Sequence, residues 1–557
     1  MPVALTGQIA HLEQIDKARA ARLRHEALTA PVPWTAEYGL YQSGGWWTAS
    51  LMNDTGNAAD VTIRDCAARP TELLKHMPAT AELLAELGLS YMWVRLARLE
   101  PNAFLWEHRD YRELRQVERH RLHLPLRTNS SAFLVTGGTK VHLASGGIWR
   151  LAPVHAHGVC NLLGPDRIHL IADVYHDAAY RRLAAKASLH RSQVEPLPAA
   201  TPDVLNDRLG AARQLASLGF TDAAEWLLLR LFYRHAMPEG AVYDLIARMY
   251  EESGDSQTAS RWLSTKHTVL ALGPARGSPP PNDKEKLAPG VVPELPREAP
   301  DGTQRDLPVV GMAACPGLAA RLTGIFTDTA AITHLLLSGA AGAGDAVCDG
   351  ADLDLIVGVA DVMLPAIVAV IDDLMRVRAG ALLPGWHDRR AADPDVLWFV
   401  FLLPDDGKLR QVNIGLAAAS RIARIRQRTA ATGLLDRLPA GETPAASARA
   451  AAFIARRSGQ QPSCTGVLAE HIVLAVLLHR RLSRGLALLP AGQTGVTAAG
   501  RAFLADLAGA VNSSHDPAAG IDRALDRVLT RAKLVCPQAI AELTDAITAY
   551  HDYRQMT

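Results

Sequence analysis

The sequence predicts a multidomain chain: a strand-rich N-terminal third, a helical middle segment, and a C-terminal α/β unit with a helical tail. Three observations predict it. Short alternating apolar runs fill the first part, broken by Gly, Asn and Asp. From about Thr201 the apolar positions fall three and four apart, as on a helix. A stretch rich in Pro, Gly and charge then separates off the last part. At 557 residues the chain has room for two or three domains, and 48% hydrophobic residues can fill their cores.

The runs WWTASLM, YMWVRLARL, HRLHLPL and RIHLIADVY are the predicted strands of a first domain, residues 1–185. Within it LLKHMPATAELLAELGL, near residues 73–89, has helical spacing. Residues 200–272 form the helical segment. There Ala212, Leu215, Gly219 and Ala224 recur as Ala247, Tyr250, Gly254 and Ala259, close to the tetratricopeptide period. A plain helical extension is the competing reading, because two copies are few for a solenoid. Residues 273–307 cannot bury enough apolar surface to fold and read as a linker. Residues 308–557 form the last unit, which ends in Ala-, Leu- and Arg-rich helices.

Charge and composition narrow the partners. A net charge of +1 gives no support for binding nucleic acid or an anionic membrane. The six cysteines show no C-x-x-C pair, as expected of reduced, mostly buried thiols. The N-terminus lacks the basic start and apolar core of a signal peptide, and no apolar run reaches the ~18 residues of a membrane span. A cytoplasmic protein is expected.

Chemistry concentrates between Arg95 and Tyr175. His108 and Asp110 form an H-x-D pair, which a strand presents on one face because side chains alternate. His157 lies far downstream, and Arg167 opens the last apolar strand. Two neutral imidazoles and one carboxylate on one face of an ion leave three positions open. That suits Fe(II) with a chelating 2-oxo acid and O₂. His155 and His157 form H-x-H, so either could be the distal ligand, and the spacing to Arg167 favours His157. His120, His142 and His169 read as structural, and Trp149 as packing.

Ordered motifs over residues 30–180 strengthen this reading. They are R-x-x-R before Asn102-Ala103, HRDY from His108, R-x-H-L from Arg121, Gly146 to Trp149, His157, and R-x-H-L-x-x-D from Arg167 to Asp173. With them the N-terminal third resembles the aspartyl/asparaginyl β-hydroxylase family of 2-oxoglutarate oxygenases. The resemblance implies a double-stranded β-helix (cupin-type) barrel with flanking helices. It implies Fe(II) on His108, Asp110 and His157, the far carboxylate of 2-oxoglutarate on Arg167, and His123 assisting the cosubstrate. A planar guanidinium gripping a carboxylate through two parallel bonds agrees with that role for Arg167. Arg95, Arg98 and Arg121 are candidates for a substrate carboxylate. Arg95 and Arg98 should face opposite ways on one strand, with Arg95 the inward one. The presence of Asp110 favours hydroxylation over halogenation.

In the last unit, LLLSGAAGAGDAVCDGADLDLIVGV resembles a nucleotidyltransferase core. Asp352 and Asp354 would share a face and are candidates for a second, Mg²⁺ site against a nucleotide. The pattern departs at Ser338-Gly339-Ala340 and at the third carboxylate, which falls near Asn413. The expected function is hydroxylation of an amino acid, proline or a close relative. The alternatives are a residue within a peptide or carrier-bound aminoacyl group, a bifunctional protein with nucleotidyl transfer, and a scaffold docking a protein partner through its helical segment.

Overall fold

The computed structural model describes residues 5–556 except 37–40, 111–117, 272–315, 328, 339–352, 388–392, 406, 430, 438–442, 461, 484–497 and 513. The expected linker and Asp352 therefore lie outside the described residues. The chain divides into two compact units, residues 1–210 with 225–296, and residues 211–224 with 297–557.

The first unit is antiparallel β structure. Its strands are β1 (Ile9–Gln14), β2 (Thr35–Ala36), β3 (Trp46–Asn53), β4 (Arg69–Pro70), β5 (Tyr91–Leu99), β6 (Ala103–Phe104) and β7 (Arg119–Arg127). Then follow β8 (Ala132–Thr136), β9 (Thr139–Val141), β10 (Gly147–Leu151), β11 (His157–Asn161), β12 (Arg167–Tyr175) and β13 (Val194–Pro196). One sheet runs β1-β10-β7-β12-β5-β3-β2, with β4 on β3, and the other runs β13-β9-β8-β11-β6. The helical stretch read near 73–89 is two helices, Glu72–Lys75 and Pro78–Leu87. Pro78 cannot accept a place inside a continuous helix but suits the first turn of the second.

Alternation along the large sheet fixes which side chains meet the site. Val94, Leu96, Leu122, Leu124, Leu126, Ile168, Leu170, Ala172 and Val174 point outward into one apolar cluster. Leu23 and Ala27 of helix Lys17–Thr29, and Leu83 and Leu84 of helix Pro78–Leu87, complete that cluster. The residues between them point inward: Arg95, Arg121, His123, Arg167, His169 and Asp173, all buried. Apolar inward residues from both sheets meet in two further clusters, one holding Trp46, Leu99, Val159 and Ile171, the other Ile9, Leu134, Trp149 and Leu151. A one-residue slip of β12 would swap its four outward apolar residues for two charges and an imidazole, so register is strongly held.

The second unit contains β14 (Ile332–Ser338), β15 (Leu353–Val359), β16 (Trp386–His387), β17 (Val396–Asp405), β18 (Lys408–Ala418) and β19 (Thr432–Asp436), in the order β16-β17-β18-β15-β14-β19. β15 and β18 are parallel, with Asp354 opposite Asn413. Asn413 Nδ2 donates to Asp354 Oδ1 at 2.6 Å, so an amide stands where a third carboxylate was sought. The helices Cys464–Ser483, Ala498–Asn512, Pro517–Val535 and Pro537–Met556 follow.

In the first unit the helices after Glu225 clasp the segment Leu105–Asp110. Tyr233 donates its hydroxyl to Leu105 O, with Val159 O also within 3.1 Å. Tyr243 Oη donates to Glu107 O at 2.6 Å, and Gly240 N donates to Glu107 Oε2 at 2.9 Å. Arg109 N donates to Val269 O at 2.8 Å, and the Trp106 and Trp262 rings lie 5.0 Å apart. Gly158 makes room for this contact, since a Cβ there would lie 2.5 Å from Tyr233 Oη. A chain ending at Ala271 keeps these bonds, whereas one ending at Ala200 loses them while retaining His108, Asp110 and His157. In a Co(II) titration the longer chain should bind one ion at the candidate ligands, and the shorter should bind at least about tenfold more weakly. Equal affinity would remove the helices from any part in holding the site.

Candidate metal centre

After β6 the chain runs on beside β11. Leu105 N donates to Val159 O at 2.8 Å, and His108 and His157 exchange backbone hydrogen bonds of 2.9 and 3.0 Å. Residues that exchange both bonds carry their side chains on the same side. The two imidazoles consequently lie 4.5 Å apart between ring centroids. Asp110 Oδ1 is 3.5 Å from His108 Nε2, and Oδ2 is 3.7 Å from His157 Nε2. All three ligand atoms lie within 4.8 Å of one another. Donors sharing one face of an octahedral ion at roughly 2.1 Å sit about 3 Å apart, so a small inward adjustment seats a metal.

Both imidazoles are set for that task by the same local device. His108 Nδ1 lies 2.7 Å from Trp106 O, and His157 Nδ1 lies 2.9 Å from His155 O. A carbonyl only accepts, so Nδ1 carries the hydrogen and Nε2 presents its lone pair to the cluster. Burial, helped by His108, pushes His157 down to about 3, which keeps it neutral near neutral pH. The Tyr41 ring stacks on His108 at 4.4 Å.

Burial works against ionising Asp110, but the Arg121 guanidinium opposes it, and the carboxyl lies well below its ordinary range. Arg121 Nη1 donates to Asp110 Oδ2. Its Nε donates to Asp173 Oδ1 at 2.9 Å, and Arg95 Nη1 donates to Asp173 Oδ2 at 2.7 Å. Arg95 also lies over the Trp93 ring at 3.7 Å. Arg95 and Arg121 thus bind the protein's own carboxylates. Two buried aspartates need neutralising, and these guanidiniums do it. Arg98 lies on the other face, half-buried, with Glu100 at 2.8 Å and Asp166 at 2.9 Å.

Arg167 is different. It is 1% exposed, and its Nη2 donates to His169 Nδ1 at 2.8 Å. Among the described residues its Nη1 has no partner, nor have His169 Nε2 and His123 Nε2. Burial pushes the Arg167 guanidinium down to about 9. Burial and the nearby Arg167 hold His123 and His169 well below the usual imidazole range. Three buried polar atoms without partners, beside a buried cation, fit a carboxylate ligand.

His169 was read as structural from the sequence, yet it stands inside the site and orients Arg167. Its place two residues after Arg167 on the same strand carried that signal. Asp173 ends the same motif, and the same alternation places it inward. Tyr41 and Glu107 carried no sequence signal. Burial pushes the Glu107 carboxyl up to about 7. His155 contributes its carbonyl to His157, and its ring is absent from the metal-ligating groups among the described residues. His142 Nδ1 meets Ala132 O at 3.1 Å, His120 Nε2 meets His176 Nδ1 at 2.9 Å, and Trp149 is buried packing.

Comparison with known proteins bears on this centre. Residues 10–177 match the aspartyl/asparaginyl β-hydroxylase family. L-proline cis-4-hydroxylase of Rhizobium meliloti (strain 1021) is 26% identical over 258 residues, 45% of this chain and 91% of that protein. A 2OG-Fe(II) oxygenase family oxidoreductase from Burkholderia pseudomallei is 15% identical, with a TM-score of 0.22, over 32% of this chain and 83% of that one. A Pseudomonas putida prolyl-4-hydroxylase is also 15% identical, with a TM-score of 0.21, over 30% of this chain and 93% of that one. The N-terminal part of this chain, residues 10–177, is thus similar to the aspartyl/asparaginyl β-hydroxylase family.

Proposed function

We propose that this chain hydroxylates a free amino acid, L-proline or a close relative of it, with Fe(II) on His108, Asp110 and His157 and with 2-oxoglutarate and O₂ as cosubstrates. The observation that carries the reading is a buried two-His, one-Asp face beside a buried arginine that lacks a carboxylate partner among the described residues. The two antiparallel sheets with apolar clusters shared between them support reading the domain as a double-stranded β-helix. The similarity to L-proline cis-4-hydroxylase supports the substrate class. Asp354, already bonded by Asn413, gives a Mg²⁺–nucleotide role no comparable support.

Bound at the three ligands, the iron would couple decarboxylation of 2-oxoglutarate to succinate and CO₂ with insertion of oxygen into a substrate C–H bond. The protein supplies position and charge. His108 and His157 offer neutral Nε2 atoms, and Arg121 keeps Asp110 ionised and turned toward them. Arg167 takes the far carboxylate of 2-oxoglutarate, with His169 holding the guanidinium plane and His123 beside it. Among these inward charges Arg95, Arg121 and Arg167 outnumber Asp110 and Asp173 by one, which favours a dianionic cosubstrate.

Succinate release over a panel of amino acids and short peptides tests the substrate class. Turnover with free proline or a near analogue is expected, and turnover confined to peptides would overturn the reading. His157→Ala should abolish coupled turnover and His155→Ala should leave much of it; the reverse result would move the ligand to His155. Arg167→Ala should raise the 2-oxoglutarate concentration needed for half-maximal rate at least about thirtyfold, from the ~2–5 kcal/mol cost of truncating one partner of a buried charge pair. An unchanged requirement would remove Arg167 from the cosubstrate. Arg121→Ala should weaken Co(II) binding at least about tenfold, because Asp110 loses the group that orients it. Undiminished affinity in a folded variant would show that Asp110 needs no such support.

A further inference from the structure

Two thiols in the second unit face each other. Cys464 opens the helix Cys464–Ser483, and Cys536 sits between the helices Pro517–Val535 and Pro537–Met556. Their sulfurs are 2.9 Å apart, roughly 0.9 Å beyond a disulfide bond of ~2.04 Å. Contacts other than sulfur hold both residues there. Thr465 Oγ1 donates to Glu542 Oε2 at 2.6 Å, tying the first helix to the last. Cys536 N donates to Ala532 O at 2.8 Å, and Ile540 N donates to Cys536 O at 3.3 Å. The other described thiols differ. Cys66 lies against Met92 O, and Cys160 is buried against Ser131 O and Phe133 O. Cys464 is exposed and Cys536 half-buried, so a small oxidant can reach the pair.

We propose that Cys464 and Cys536 form a reversible dithiol–disulfide site, with a peroxide as the class of oxidant. The exposed Cys464 thiolate attacks one peroxide oxygen. The O–O bond breaks, leaving a sulfenic acid and a hydroxide that takes up the proton the Cys464 thiol released and becomes water. Cys536 sulfur then attacks Cys464 sulfur, the S–O bond breaks, the S–S bond forms, and a second water leaves. The two thiols lose two electrons and two protons in all, and a dithiol reductant returns them. The bond closes a loop between positions 72 apart in sequence, which restricts the unfolded chain while the helices keep their places.

The full chain treated with about one equivalent of hydrogen peroxide tests this. Intact mass should fall by two hydrogens. A non-reduced digest should yield one peptide pair joining Cys464 to Cys536, and dithiothreitol should reverse both changes. The transition of the second unit should rise by roughly 5–10 °C on oxidation, and Cys464→Ser should remove both the linkage and the rise. Continued alkylation of both thiols, oxidation of Cys464 to a sulfinate, or a link from either residue to another cysteine would each overturn the proposal. A linked chain that melts no higher would overturn the preformed geometry on which it stands.

Discussion

The bonds from Arg121 to Asp110 and Asp173 are the constraint on which the centre depends. Three ionised side chains here are buried, and a fourth, Arg95, closes the chain on Asp173. Taking such charges out of water costs several kcal/mol each, and only close, hydrogen-bonded pairing offsets it. Alternating signs along Asp110, Arg121, Asp173 and Arg95 provide that pairing. Removing one member would leave a neighbour buried and uncompensated. The arrangement also makes the ligand carboxylate available in its charged form, although burial alone would protonate it.

The candidate histidine ligands, His108 and His157, are held by backbone instead. Each donates Nδ1–H to the carbonyl two residues before it, and the two residues share a pair of backbone hydrogen bonds. Such a site tolerates little shift between the two strands, because the rings move with the peptides. The clasp by Tyr233 acts on this weak point. One hydroxyl lies against carbonyls from both strands, Leu105 and Val159, next to the ligands' own bridge. The helical segment that the sequence presents as a plain extension or a tetratricopeptide-like layer is, from Glu225 onward, part of the first unit and set against Leu105–Asp110.

Much of this was legible because β-strands have period two. The pair His108/Asp110 and the run from Arg167 to Asp173 write inward-facing chemistry between outward-facing aliphatics, and the structure places these groups on one inner face. His169 was discounted because a lone strand histidine carries no signal of its neighbours; only pairing across β7 and β12 brings it to Arg167 and His123. Arg95 and Arg121 were legible as inward charges, but their partners were not, since Asp173 lies far along the chain from both. Tyr233 and Gly158 illustrate a different limit. Each is unremarkable alone, and their meaning is a missing Cβ beneath a phenol, which depends on packing.

Satisfied and unsatisfied groups divide the inner face into two functional halves. Around Asp110 every described charge has a partner, so that half is preorganised and changes little when an ion enters. Around Arg167 the polar atoms Nη1, His169 Nε2 and His123 Nε2 remain without one among the described residues, in a region closed to bulk water. Buried polar groups in folded proteins are almost always satisfied, so these atoms mark where a ligand completes the fold. The ligand they specify accepts hydrogen bonds and carries negative charge, because a guanidinium can only donate. A dianion with one carboxylate toward Arg167 and a chelating end toward His108, Asp110 and His157 meets both halves together. Under the proposed function, cosubstrate binding and relief of the arginine's desolvation are one event, which ties occupancy of the site to the identity of the acid that fills it.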